Sequence, residues 1–521
     1  MTKAMLKILI KFADREFPSV RRHLPAVMAG FAFLAFLAVS NGLAQSRTDN
    51  APTVDYSDEI PPAVPPPKPY ILPPPAVRAL ANGLTVVVIE RHSLPLVTLR
   101  MVVKAGAEAD PTDAPGTAQL VTALLNQGTA RRSAEQIAEA VDRAGGTIST
   151  GAGWDSSYAD LSVLSDHTEL AFDLLSDMIM RPALAHAEVE RKRRQTLSAL
   201  EVAHDDPGYL ADTAFDHLVL SGTPYGHPQD GTRESVGRLT PAELREFHSR
   251  YYRPANAILA AVGDITAVEA FDLAEKFFGG WQGQAPPDST MRKSVSSASK
   301  QIVAIDKPDA VQTEIRVGNY GIRRDSADYD ALTVANQILG GPAANHLFSA
   351  LRTRRGLTYG ASSELNSFQT AGTWEVKTFT RTSETSSTLK VILEEMKNLR
   401  DRPISGRELE TAKSYLVGHL ALQFESSESV AAQVLDLMVH GLPLDYWNRF
   451  PERVRALGAD EVRNAIRRRL DPNHVVIVLV GNVGEFNQDL KKLGRARIIP
   501  LASVDFGSAN LERETGAAGK P

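Results

Sequence analysis

The sequence contains no cysteine, which excludes disulfides, thiolate zinc sites and cysteine nucleophiles. It also lacks a strong bias of charge: the net charge is -5, with 23% charged residues, so we expect no nucleic-acid partner. A metal site would have to use His, Asp and Glu side chains. The 521 residues, with 43% hydrophobic side chains, are typical of a globular protein with two or three domains.

Residues 1–44 have the composition of an export signal. A net positive segment precedes the uncharged stretch 24–46, and residues 26–39 are almost wholly apolar. Gly42 and Ala44 then supply the small residues of a cleavage site. We therefore predict a periplasmic or otherwise exported protein. The alternative is an uncleaved segment that anchors the N-terminus in the inner membrane and keeps the chain near it.

The rest of the chain divides by composition into five parts. Residues 45–75 form a proline-rich linker, since nine prolines between 61 and 75 favour an extended polyproline spacer. A second linker, 283–300, is rich in Ser, Pro and Gln. These linkers delimit an N-terminal domain, 76–282, and a C-terminal domain, 301–505. The small, polar residues 506–521 are predicted to be a disordered tail.

The two domains repeat one pattern. The stretch 253–265 and the stretch 471–483 both contain a proline, an apolar strand and then Val-Gly. At a similar offset, the strand and helix of 98–128 correspond to those of 313–341. A run of strands followed by helices, duplicated once, predicts an α+β fold. Each of the two homologous domains is expected to be a mostly antiparallel sheet with helices packed on it.

Four phrases of the sequence carry a resemblance to a known family. They are VKAGAEADP at 103–111, PGTA at 115–118, YRPANAILAAVGD at 252–264 and LRTRRGLTYG at 351–360. Together they resemble the pitrilysin/insulinase family of zinc peptidases, which includes mitochondrial processing peptidase and its bacterial relatives. The resemblance extends from about residue 80 to 483, in the family's order, and implies half of a metallopeptidase clamshell.

The chain departs from that family at the catalytic motif. Active members carry H-x-x-E-H directly after the Gly-x-Ala phrase, where the two His bind zinc and the Glu activates water. Gln119 and Ala123 stand here in place of the His ligands, and Thr122 stands in place of the Glu. An amide and a hydroxyl have neither the charge nor the basicity of that site. The resemblance therefore implies a chain without catalytic residues.

The third zinc ligand of the family, a Glu, falls near residues 199–200, which are Ala199 and Leu200. Glu201 is one position further along, which turns it by about 100° around a helix. The histidines His167, His204 and His227 are scattered and have no i, i+4 partner. No metal ligand is therefore expected in this chain, and zinc is expected in a partner.

The family's substrate-holding residues are retained. Arg352 and Tyr359 stand in the place of an Arg/Tyr pair, whose donors suit peptide carbonyl oxygens and a developing oxyanion. The alternative is a surface helix for Arg352 and a core strand for Tyr359. The family also pairs extended substrate with the strand equivalent to Ile148, Ser149, Thr150 and Gly151. The alternative there is a simple edge strand with turn glycines.

Two such domains make only half of the family's four-domain chamber, so the resemblance implies a heterodimer with a homologous subunit that carries the zinc motif. This chain would then cut no peptide alone and would help to hold an unfolded peptide substrate. Three alternatives are a homodimeric peptide-binding or chaperone-like clamshell without hydrolysis, an assembly subunit similar to the core subunits of respiratory complexes, and a metalloendopeptidase with a rewired site.

Overall fold

A computed structural model describes residues 71–284, 286, 300–342, 345–492 and 494–513. The predicted signal or anchor and most of both linkers lie outside these residues. Among the described helices, none is long and apolar enough to cross a membrane. Residues 68–521 form one compact unit.

The first half is built on a six-stranded sheet in the order β1-β2-β6-β3-β5-β4. β2 and β6 run parallel, and the other neighbours are antiparallel. β6 is buried along its whole length, which places it at the centre of the core. The strands are β1 (Ala76–Ala79), β2 (Thr85–Glu90), β3 (Leu96–Val103), β4 (Thr147–Ala152), β5 (Ser157–Leu164) and β6 (Ala257–Gly263).

Eight α-helices accompany this sheet among the described residues. α2 begins with a capping box in which the Ser133 side chain accepts from the Gln136 backbone N–H. The helices are α1 (Thr117–Leu124), α2 (Ala134–Arg143), α3 (Thr168–Met180), α4 (His186–Ala203), α5 (Pro207–Val219), α6 (Arg233–Arg238), α7 (Pro241–Tyr251) and α8 (Ala267–Phe278).

The second half repeats the arrangement, with the order β12-β7-β11-β8-β10-β9 and a parallel pair β7/β11. The predicted α+β fold and its duplication are therefore confirmed. Only the outermost strand differs: β1 is antiparallel to β2, whereas β12 is parallel to β7. The strands are β7 (Gln301–Asp306), β8 (Gln312–Tyr320), β9 (Ala361–Ser367), β10 (Gly372–Arg381), β11 (Val476–Gly481) and β12 (Ala496–Pro500).

Most of the described helices of the second half pack on this sheet or on each other. A π-helical turn, Phe348–Thr353, lies between α9 and β9. The α-helices are α9 (Tyr329–Gly340), α10 (Thr385–Asp401), α11 (Gly406–His419), α12 (Ser427–Val439), α13 (Tyr446–Ala456), α14 (Ala459–Arg469) and α15 (Val483–Leu490).

One helix from each half packs on the sheet of the other half. α5, from the first half, packs on β8 and β11 of the second sheet, where Phe215 joins a core cluster with Val303 and Val478. α12, from the second half, packs on β3 and β6 of the first sheet. The two halves consequently share buried apolar surface.

Two segments depart from the sequence prediction. Phe506 and Leu511 are buried against the second sheet, so residues 506–513 are not a disordered tail; residues 514–521 lie outside the described part. At the end of the proline-rich linker, Leu72 is buried and its backbone N–H and C=O both hydrogen-bond the Asn448 side chain. In both segments a few large apolar side chains are buried, although the average composition of the segment is proline-rich or polar.

Candidate functional site

Gln119, on α1, stands at the position of the first His in the family's zinc motif. Its Nε2 donates to Asp230 Oδ1 at 3.1 Å, and its Oε1 accepts from the Ala152 backbone N–H at 3.0 Å. The amide thus uses its NH₂ group as a donor and its oxygen as an acceptor at the same time. It ties α1 to the end of β4.

Thr122 and Ala123 occupy the other two motif positions. The Thr122 hydroxyl is buried and contacts the helix carbonyls of Ala118 and Gln119, at 3.1 and 2.9 Å. This is the back-bonding that Thr adopts inside helices. Ala123 has no side-chain donor or acceptor. Neither residue can bind a metal or activate water from this position.

The neighbouring wall adds no missing ligand. Ala199 and Leu200 line, with the motif residues, a cleft of about 380 Å³. Glu201 instead pairs with Arg233 at 3.2 Å, and its side chain is 69% exposed. Over all described residues, no group of three or more His, Asp or Glu side chains is placed to hold a metal ion. The side chains of the cleft therefore do not provide the ligands with which the zinc peptidases of the family bind their metal.

Two acidic residues lie close to the N-terminal end of α1, and no sequence pattern predicted a role for them. Asp110 accepts from the backbone N–H groups of Gly116 and Ala118 at 2.7 and 2.8 Å, and burial raises its pKa to about 7. Glu108 accepts from the Gly106 N–H at 2.9 Å, and burial, with the charge of Asp155, raises its pKa to about 8. Asp110 caps the helix from six residues upstream, a spacing outside the usual capping patterns.

β4 is the outermost strand of the first sheet on this side. The Ala152 N–H and C=O point outward, to the side chains of Gln119 and Gln229. Because backbone orientation alternates along a strand, Ile148 and Thr150 also direct their backbone groups outward, whereas Ser149 and Gly151 face β5. Within the described residues, no partner bonds the outward backbone groups of Ile148 and Thr150.

Gly151 has a packing role in this strand. A Cβ at this position would lie 2.7 Å from the Tyr158 hydroxyl oxygen and 2.9–3.0 Å from its ring carbons. The tyrosine ring therefore covers the strand at the glycine. The close approach at Gly151 is therefore made by a side chain of the same sheet.

Arg352 and Tyr359 are brought together on the surface. The Arg352 guanidinium carbon lies 4.5 Å from the Tyr359 ring centroid and 4.9 Å from the Phe348 ring. Tyr359 is 75% exposed, so it is not the core strand residue of the alternative interpretation. The chain returns through Gly356, which has a φ of +59° and donates its N–H to the Arg352 carbonyl at 3.0 Å. The stacked pair presents two polar groups to solvent.

Comparisons with known proteins agree with this architecture. The profile of the insulinase family, Peptidase family M16, matches residues 85–225, and that of the Peptidase M16 inactive domain matches residues 238–416. An uncharacterised zinc protease of Mycobacterium leprae is 29% identical over 355 residues, which cover 67% of this chain and 79% of the relative.

Two crystal structures resemble most of the chain. A peptidase M16 inactive domain from Pseudomonas fluorescens has a TM-score of 0.74 and 29% identity, covering 78% of this chain and 98% of that one. A protease from Helicobacter pylori has a TM-score of 0.74 and 20% identity, with 78% and 100% covered, which is a likeness of fold alone. The chain belongs to the insulinase (M16) family and combines that family's N-terminal domain with its inactive domain.

Proposed function

We propose that this chain is the non-catalytic, substrate-binding subunit of a heterodimeric M16 zinc metallopeptidase. The observation that carries the proposal is the bonding of Gln119. Its amide is held between the Ala152 N–H and Asp230 at the position where the active members place a zinc ligand. Because Thr122 and Ala123 supply no ligand either, zinc and the water-activating carboxylate belong to the partner.

The peptide-holding role is supported by the outer edge of β4. Ile148 and Thr150 together offer two N–H donors and two C=O acceptors to an added strand. Each such bond contributes about 0.5–1.5 kcal/mol net. Gln119 and Gln229 already occupy the backbone of Ala152, so an added peptide strand would end beside Thr150.

Arg352 and Tyr359 supply the second contact. A stacked guanidinium keeps its N–H groups in one plane, and this fixed array suits a row of peptide carbonyl oxygens. In a dimer of two such halves, the pair would face the peptide that the zinc-bearing subunit cuts. The substrate would be an unfolded polypeptide. Because of the predicted export signal, we expect the complex in the periplasm or at the inner membrane.

Mixing this chain with its zinc-motif homologue from the same organism tests the proposal. Peptidase activity should rise on mixing, and Arg352→Ala should lower it about 10-fold or more without preventing assembly, since a charged donor contributes about 1.5–3 kcal/mol. Arg354→Ala is the matched control, because that guanidinium pairs with Glu395 at 3.3 Å and does not contact Tyr359.

Two results would contradict the proposal. If the chain binds unfolded peptide as a homodimer and adds no activity to the homologue, it is a peptide-binding clamshell without hydrolysis. If Arg352→Ala leaves the rate of the mixed complex unchanged, the assigned role of the Arg352–Tyr359 pair is wrong.

A further inference from the structure

A cavity of about 620 Å³ lies where the two halves meet. One wall comes from the β4–β5 turn around Trp154, a second from the end of β9 around Phe368, and a third from α12 and Trp447. With Tyr329 on α9, four aromatic residues from four separate segments line it. It is distinct from the cleft beside α1 and shares no lining residue with it.

Arg324 in the wall of this cavity has an unusual environment. It is 5% exposed, and none of the ion pairs within 4.0 Å among the described residues involves its guanidinium, although the charge of Asp436 acts on it from a greater distance. Its neighbours are aromatic: the guanidinium carbon lies 3.9 Å from the Tyr329 ring centroid and 4.8 Å from that of Tyr446. Nη1 donates to the Tyr446 hydroxyl at 3.4 Å, and Nη2 has no hydrogen-bond partner among the described atoms.

Another arginine of the same burial shows the usual solution. Arg316 is also 5% exposed, but it pairs with Asp212 at 2.6 Å and with Glu314 at 2.8 Å. A buried charge without such a partner is strongly unfavourable. Cation–π contacts compensate only in part, because each contributes about 0.5–2 kcal/mol.

The other unpaired polar atoms at this cavity are also able to donate. Trp447 Nε1 and Ser367 Oγ are both buried and without a partner in the described part of the chain, and both residues line the cavity. The acids of the wall are already engaged: Asp155 accepts from the Tyr225 hydroxyl at 2.6 Å, and Asp436 pairs with His440 at 3.2 Å. The complement of this arrangement is an anionic acceptor.

We propose that this cavity is a binding site for a carboxylate attached to an apolar group, with Arg324 as its anchoring residue. The carboxylate would accept from the guanidinium, and the apolar group would lie between the indole and phenyl rings. Either the C-terminus of a peptide or a small organic acid has this chemistry. The site does not depend on the proposed role in hydrolysis, since its residues are separate from Gln119, Arg352 and β4.

Tryptophan fluorescence of the full mature chain tests the site, because two of its four tryptophans, Trp154 and Trp447, line the cavity. The probes are N-acetyl-phenylalanine, its amide, N-acetyl-tetraglycyl-phenylalanine and inorganic phosphate. The free acid should change the fluorescence saturably, and the amide should bind at least about 10-fold more weakly. Tighter binding of the pentapeptide than of the single residue would identify a peptide C-terminus as the source; equal binding would identify a small acid.

Arg324→Met should abolish binding of the free acid. Trp447→Phe, which keeps an aromatic ring but removes the Nε1 donor, should weaken it several-fold even if Arg324→Met fails to fold. Trp281→Phe removes a tryptophan outside the cavity and should leave the response unchanged. Equal binding of acid and amide, full binding by folded Arg324→Met, or no saturable response to any probe up to about 10 mM would overturn the proposal.

Discussion

Where α5 packs on the second sheet, carboxylates outnumber cations in a buried cluster. Glu375 on β10 is 2% exposed, and its Oε1 lies 3.0 Å from Lys377 Nζ, while its Oε2 has no partner among the described atoms. Burial, followed by the charge of Asp216 on α5, raises the pKa of Glu375 to about 8. The pKa of Asp216 rises to about 7, mainly through burial. The other charged groups facing them are Asp212, Glu314, Arg316 and Glu364.

These raised values predict a loss of stability on the alkaline side. A carboxyl group whose folded pKa lies above its ordinary value stabilises the fold fully below that ordinary value, and the contribution is lost as the pH rises through the folded pKa. For Glu375 the window runs from 4.5 to about 8. At 1.36 kcal/mol per unit the shift corresponds to a ceiling of about 5 kcal/mol. Water that enters the ionised cluster reduces it, so we expect Glu375→Gln to recover about 2 kcal/mol at pH 9.

Glutamine suits this position. Its oxygen can keep the contact with Lys377, and its NH₂ group takes the place of the unpartnered Oε2. Urea unfolding of the mature chain and of Glu375→Gln at pH 5 and pH 9 measures the effect. Glu364→Gln is the control, because Glu364 contacts the same lysine at 3.0 Å but is 47% exposed. Parallel pH profiles for wild type and Glu375→Gln, or a variant less stable than wild type at pH 9, would refute the reasoning.

Two further substitutions test other parts of the structure. Thr150→Pro should weaken binding of a labelled unfolded peptide about 10-fold without unfolding the chain, because it removes an outward N–H that the sheet does not use; Thr150→Val keeps that N–H and should bind normally. Burial lowers the pKa of His440, but its bonds to Asp155 and Asp436 outweigh this and raise the pKa to about 10. His440→Asn should therefore destabilise the chain by about 3 kcal/mol at pH 6 in urea unfolding, and the difference should shrink as the pH approaches 10; a constant difference would contradict the ion pair.

The strands and the duplication could be predicted because both depend on short apolar runs that recur in the sequence. The apolar runs that end at Gly263 and Gly481 form the buried strands β6 and β11, at equivalent places in their sheets. The loss of the zinc motif could be predicted from three positions on one helix. The contact between Arg352 and Tyr359 could not be derived from spacing alone, and only the family phrase indicated it.

The exchange of α5 and α12 could not be predicted, because an amphipathic pattern states that a helix buries one face but not on which sheet. For the same reason the buried charged cluster around Glu375 could not be predicted. Glu375 and Lys377 alternate with apolar residues as solvent-facing strand positions do, and only the helix from the other half buries them. No sequence pattern marks Arg324, because the absence of a neighbouring carboxylate is visible only once the segments of the cavity wall are folded together.

The most direct measurement of the central claim is the zinc content and peptidase activity of the purified mature chain on its own. The account predicts no stoichiometric zinc and no cleavage of unfolded peptides, because Gln119, Thr122 and Ala123 provide neither ligands nor a base. One zinc per chain together with chelator-sensitive cleavage would show that an active site lies elsewhere in the chain and that the central claim is wrong.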